Sequence, residues 1–317
     1  MDVLNFIIQQ TMYFSIPLLV VALGAMFSER SGIINIAMEG IMIMGAFTSI
    51  FFINISSRMG MSGQIQLILA ILIAAGTGII FSLFHAYASI SMKADQTISG
   101  TALNMFAPAF AIFIARVIQG VQQVQFTNTF RITNETLENI PIIGAMFFDE
   151  AYITTYLGFI ILIVSVFVLY KTKFGLRLRS CGENPHAADA AGINVYKMQY
   201  AGVIISGALG GLGGLIFVVP TSVNFNADVS GYGFLAIAVL IFGQWNPVKI
   251  LGASLFFVVM KAISASYSSI PLLAGLGISS YFYKMVPYIV TLIVLIFTSR
   301  NSRAPKAEGI PFDKGQR

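Results

Sequence analysis

The sequence predicts an all-α membrane protein, a polytopic helical bundle of about nine transmembrane helices, within a range of about eight to ten. Three observations carry that reading. Charged residues make up 10% of the 317 residues, against about 25% in an ordinary globular domain, too few to cover a water-soluble surface. The mean hydropathy is +0.84. Uncharged stretches of about 18–25 residues recur from end to end, the length a helix needs to cross a hydrocarbon layer of roughly 30 Å. These stretches do not alternate as barrel strands do, which leaves helices as the spanning form.

The first segment covers residues 3–27 and carries Pro17, which is expected to interrupt it. Residues 1–10 lack the basic region and small-residue cleavage site of a signal peptide, so this segment is expected to be retained. Further segments are expected at 32–53, 64–90, 97–118, 152–170, 198–219, 231–242, 250–270 and 282–298, the one at 231–242 being short. A broken or re-entrant segment would change the count by one. Residues 1–299 thus form the transmembrane domain and 300–317 a tail.

Cationic residues orient these segments by the positive-inside rule. With the tail in the cytoplasm, the inner loops hold Arg30, Lys93, Lys171, Lys173, Arg177, Arg179, Lys197 and Lys249, and the tail holds Arg300, Arg303, Lys306, Lys314 and Arg317. The N-terminus then lies outside. The outer loop 119–150 carries Arg131 against Glu135, Glu138, Asp149 and Glu150. It is either a docking surface or a loop packed over the bundle. The net charge of +5 is scattered, without an aromatic-interleaved basic stripe, so nucleic acid is not an expected partner. The single cysteine, Cys181, excludes an intramolecular disulfide.

The inner loop 171–197 contains a short capped helix. Asn184 is a good N-cap, and Pro185 then takes the first helical position, where its missing N–H costs nothing. Gly192 sits where a left-handed residue would end the helix. Ala187, Ala188, Ala190 and Ala191 lie between, with Asp189 expected to be exposed. A helix of about two turns with a small-residue surface suits close docking on another protein, or is simply a connector.

The block Glu183-Asn-Pro-His-Ala-Ala-Asp-Ala-Ala-Gly-Ile193 resembles the coupling-helix motif of the ABC importer permeases that handle branched-chain amino acids, simple sugars and nucleosides. The block from Ser28 to Ala46, with Glu29, Arg30, Gly32, Asn35, Ile36, Glu39 and Gly40, is similar to that of the nucleoside branch. So are Phe242-Gly-Gln-Trp-Asn-Pro247, followed by Gly252 and Ala253, and the tail from Ala304 to Gly315. The resemblance implies a type II ABC importer permease fold in the bacterial inner membrane. It implies that Glu183, Asn184, Pro185, Ala187, Ala188, Ala191 and Gly192 couple to a cytoplasmic ATPase, with Ala187, Ala188 and Ala191 as the docking face. It also implies three kinds of protein partner: the ABC ATPase subunit, a second homologous permease or a second copy of this chain, and a substrate-binding lipoprotein or periplasmic protein.

The chain has no Gly-x-x-x-x-Gly-Lys-Ser/Thr phosphate loop. No cofactor is expected in it, and ATP and Mg would be bound by partner subunits. A self-sufficient ion-coupled carrier would need titratable groups at mid-membrane; Glu39, Lys261 and His85 are candidates but form no pair in sequence. An intramembrane enzyme finds no support in two histidines, His85 and His186, without His-Glu-x-x-His or Gly-x-Ser-x-Gly.

Asn35 and Glu39 share a helical face. A carboxylate at that depth costs roughly 2.5–3.5 kcal/mol on insertion scales unless it is satisfied. A polar solute pathway would satisfy it, and so would a hydrogen bond to a neighbouring helix end. Asn104 poses the same question. Gly207 and Gly211, and likewise Gly210 and Gly214, are four apart on the sixth segment and are expected to let backbones approach closely in lipid. The hexapeptide 35–40 is weakly echoed at 226–231, sharing Asn, Ala and Gly, as opposed halves of a transporter would.

Overall fold

The computed structural model describes residues 2–126, 130–132, 151–265 and 303–315, together with Phe282, Met285 and Ile289. In chain order the helices are α1 (Asp2–Glu29), α2 (Met38–Arg58), α3 (Gln64–Ala86, continued by a π-helical turn Tyr87–Ser91), α4 (Gln96–Gln119), α5 (Ile153–Lys171), α6 (Lys173–Glu183), α7 (Pro185–Ala190), α8 (Val195–Thr221), α9 (Tyr232–Phe242) and α10 (Pro247–Ala265). Among the described residues, six helices are long and apolar enough to cross a membrane.

Several expected elements shift. Pro17 lies inside α1, which continues through it unbroken. The second segment becomes helical only at Met38, and residues 30–37 are non-helical. The segment at 231–242 does not span: α9 has 11 residues, about 16 Å of rise, half of a hydrocarbon core. The stretch 173–183, expected as loop, is the amphipathic helix α6, with Gly175, Leu178, Cys181 and Gly182 buried. Most of the outer loop 119–150, the end of the segment at 250–270 and nearly all of the segment at 282–298 lie outside the described residues.

The core is organised around α8, which packs against α1, α2 and α3. Lipid supplies no hydrophobic drive between helices, so close backbone contact must hold them. The glycines of α8 permit it on two faces. A Cβ on Gly207 or Gly211 would run into α3, against Ser82, the Gly78 carbonyl and the Ala74 carbonyl. A Cβ on Gly210 or Gly214 would run into α2, against Met38, Ile41 and the Met42 carbonyl. Each i,i+4 pair therefore serves a different neighbour.

Two short antiparallel pairs close one end of the bundle. Strand β1 (Val124–Gln125) pairs with β4 (Asn224–Phe225), and β2 (Arg131–Ile132) pairs with β3 (Ala151–Tyr152). Asn54, near the end of α2, donates to the Gln125 carbonyl at 2.6 Å. The opposite end holds Arg30, the α3–α4 turn, α6, α7 and the tail, and with them most of the cationic residues.

Gly78 and Gly76 give a paired test. Gly78→Ala is expected to lower stability in detergent by about 1–3 kcal/mol, because its methyl has no room against the Gly207 carbonyl. Gly76 has open space around it, and Gly76→Ala is expected to be neutral or slightly stabilising. Thermal unfolding of the two purified variants checks the difference.

Candidate functional site

Breaking a helix inside hydrocarbon frees backbone groups that only protein can satisfy. The 30–37 break is satisfied from three neighbouring helices. Ser28 Oγ donates to the Ile33 carbonyl at 2.7 Å. Gln96 Oε1 accepts from the Ile34 N–H at 2.7 Å. The Ile34 carbonyl lies 2.8 Å from His85 Nε2, and His85 Nδ1 lies 3.1 Å from Ser99 Oγ. A carbonyl only accepts, so the ring carries its proton on Nε2, and Nδ1 is left to accept from Ser99.

The three candidate pathway residues belong to the same device. Asn35 Oδ1 accepts from the Ala37 N–H at 3.2 Å, and its Nδ2 donates to Ser206 of α8 at 2.9 Å. Asn104 reaches across from α4: its Oδ1 accepts from the Gly40 N–H at 2.7 Å and its Nδ2 donates to the Ile36 carbonyl at 2.8 Å. Glu39 closes the second break. Its two carboxyl oxygens accept from the Gly231 N–H at 2.9 Å and the Gly233 N–H at 2.6 Å, at the start of the half-length α9. Two helix N-termini, those of α2 and α9, thus meet at one buried carboxylate, the favourable sign for both macrodipoles. The echoed hexapeptides 35–40 and 226–231 are in direct contact here. The polar groups of Asn35, Glu39 and Asn104 are engaged by protein at helix ends.

At the basic end, the helix α7 is specified at both termini. Asn184 Oδ1 accepts from the Ala187 N–H at 3.0 Å, and Pro185 follows at the first position. At the other end Gly192 takes φ +80°. Its N–H donates to the Asp189 carbonyl at 2.9 Å, and that of Ile193 to the Ala188 carbonyl at 3.0 Å. Asn194 caps the next helix through the Lys197 N–H.

The exposed face of α7 differs from the expected docking face. Ala188 is 3% exposed and packs inward with Cys181, Val195 and Phe312. Ala187, Ala190 and Ala191 are exposed. At 3.6 residues per turn Ala187 and Ala188 lie 100° apart, whereas positions i, i+3 and i+4 share a face. Asp189 is only partly exposed and pairs with Lys314 at 3.5 Å. Glu183 pairs with Arg30 at 3.8 Å.

Arg30 is part of a hub that the sequence spacing does not reveal. Its Nη2 donates to the Trp245 carbonyl at 2.9 Å, and Trp245 Nε1 donates to the buried Glu29 carboxylate at 2.5 Å. Glu308 of the tail hydrogen-bonds Glu29, and burial pushes the Glu308 carboxyl above its ordinary value. Gln244 and Trp245 have φ of 48° and 54°, left-handed geometry that costs of order 1–3 kcal/mol per residue and persists only when neighbours over-determine it. Glu29 and Arg30 do so. Each of the four sequence blocks that carry the family resemblance therefore supplies a residue here: Glu29 and Arg30, Glu183, Trp245, and Glu308. Cys181 is buried beside α7, its thiol pushed up to about 11 by burial. Among the described residues no group of three or more His, Cys, Asp or Glu is arranged to hold a metal ion.

Comparison with known proteins gives the family. The family model described as branched-chain amino acid transport system / permease component matches residues 7–295. The chain is 43% identical to a guanosine ABC transporter permease protein of Bacillus subtilis, over 100% of this chain and 99% of the relative. It is 40% identical to a nucleoside ABC transporter permease protein of Lactococcus lactis, over 99% of each. It is 29% identical to a putative glucose ABC transporter permease protein of Haloferax volcanii, over 88% of this chain and 87% of the relative. No solved structure matches the chain significantly.

The Glu39 bridge gives a direct test. Glu39→Ala leaves the Gly231 and Gly233 amides without their acceptor, a loss of about 1–3 kcal/mol for each amide that finds no other. A lowered midpoint of thermal unfolding is expected, measured against Arg58→Ala at the far end of α2.

Proposed function

The chain belongs to the branched-chain amino acid transport system / permease component family, and on that premise we propose that it is the membrane-spanning permease subunit of an ATP-driven nucleoside importer. Full-length similarity to a guanosine and a nucleoside permease is the observation that carries the substrate class. The exposed Ala187–Ala190–Ala191 face of a doubly capped helix supports the mode of energy coupling. Without a phosphate loop in this chain, hydrolysis belongs to partner ATPase subunits, which bind ATP and Mg.

In this reading the basic end faces the cytoplasm, and α7 docks in a cleft of the ATPase. Closure of the nucleotide-bound ATPase pair pushes α7. The helix breaks at 30–37 and before α9 are the places where a type II permease bundle can rearrange. A second permease, homologous or identical, completes the translocation path between the two bundles. A lipid-anchored or periplasmic binding protein delivers the nucleoside from the other side and carries much of the selectivity.

Uptake of labelled guanosine by cells with and without this chain tests the substrate class, with unlabelled ribose, glucose and leucine as competitors. Uptake that depends on the chain and is competed only by nucleosides is expected. Competition by a sugar instead would overturn the nucleoside reading. Ala187→Trp is expected to lower uptake at least about tenfold by blocking the docking face without disturbing the buried Ala188 side.

A further inference from the structure

We propose that the C-terminal segment 304–314 is a strut that positions the coupling helix α7, with Phe312 as its positioning residue. The proposal rests on α7 being the ATPase-docking element and deepens that reading.

A six-residue helix has too few internal hydrogen bonds to hold its place alone. Its buried side chains are Pro185 and Ala188, both small. Phe312 supplies the missing surface: it is 4% exposed and clusters with Ala188, Cys181 and Val195. Its ring lies 5.1 Å from that of His186 and 5.3 Å from that of Tyr196. The helix is therefore gripped from beneath while its alanine face stays open.

What holds Phe312 there links α7 to the moving parts of the bundle. The Ala307 N–H donates at 2.9 Å to the Gly182 carbonyl, two residues before the helix cap. The Gly309 N–H donates at 3.0 Å to the Gly32 carbonyl, inside the α1–α2 break. Asp313 pairs at 2.8 Å with Lys93 of the α3–α4 turn; the bond raises the lysine and lowers the aspartate from their ordinary values. Lys314 pairs at 3.5 Å with Asp189 on α7 itself. A push on α7 thus reaches α1, α2, α3 and α4 through the strut, beside the covalent route through α6 and α8. Contiguous hydrogen bonds and packing of this kind are a physical carrier of coupling. The strut is a second connection, so weakening it should uncouple hydrolysis from transport without stopping hydrolysis.

The experiment uses the complete transporter in proteoliposomes, with guanosine uptake and ATP hydrolysis measured together. Phe312→Ala is expected to lower nucleoside carried per ATP hydrolysed by roughly three- to tenfold, while Phe312→Tyr, which keeps the ring, retains most of it. A merely structural role would lower the amount of assembled complex and leave that ratio unchanged. If Phe312→Ala fails to assemble, charge exchange decides: Lys93→Asp and Asp313→Lys should each lower the ratio, and the double variant should restore it. Lys93 has φ 54°, geometry that aspartate accepts. An unchanged ratio in assembled Phe312→Ala, or a double exchange that restores nothing, overturns the strut. Ala187→Trp in the same preparation separates the two ideas. If it abolishes uptake while Phe312→Ala is normal, the strut alone is wrong; if it too leaves uptake intact, the coupling-helix reading falls and the strut with it.

Discussion

The absence of water in the hydrocarbon core governs this fold. A spanning helix satisfies its own backbone, so each departure from helix must be met by side chains from elsewhere. Among the described residues two departures stand out, at 30–37 and ahead of α9. In both places the freed groups are taken by residues distant in sequence: Gln96, His85 and Asn104 at the first, Glu39 at the second. Glu39 binds the two sites together, because it lies one residue into α2 and receives the amides of α9. An interior that can bend at defined points, without exposing unpaired amides, is what alternating access needs.

The same logic applies at the basic end with different chemistry. Here the chain is partly wet, and ion pairs and caps replace the buried amide bonds. The strained Gln244–Trp245 turn, the Glu29–Trp245–Arg30 contacts and the tail converge beside α7. Asn184 and Gly192 define the ends of this six-residue helix, and Phe312 packs beneath it.

Much of this was legible in the sequence. Six spans are readable because their apolar runs are long and carry few charges, and α7 is readable because capping chemistry is local: Asn184, Pro185 and Gly192 announce its ends without reference to the rest of the fold. The glycines of α8 were readable as close-contact positions, though not which neighbour each pair meets. Other features were not legible. The half-length α9 looks like a short span, since hydropathy does not report where its N-terminus sits. Residues 32–37 look like part of a span because Ile33, Ile34 and Ile36 are apolar, and the break depends on His85, Gln96 and Asn104 from other helices. Asn35, Glu39 and Asn104 stand out as costly polar residues, but composition cannot distinguish a solute from a helix end as their partner. Ala188 reads from sequence as outward-facing, because nothing nearby in sequence foretells Phe312 beneath it. The tail was legible only as a resemblance, since its role comes from contacts with residues more than a hundred positions away.

The central claim is that the exposed alanine face of α7 meets an ATPase subunit. Cysteine cross-linking tests it most directly, because Cys181 is the chain's single cysteine and is buried. In a Cys181→Ser background, Ala187→Cys and Ala191→Cys should each cross-link to the co-expressed ATPase subunit, and the cross-link should stop nucleoside uptake. Leu176→Cys, exposed on α6, provides the comparison. Capture of the ATPase at Leu176 but at neither alanine would contradict the account.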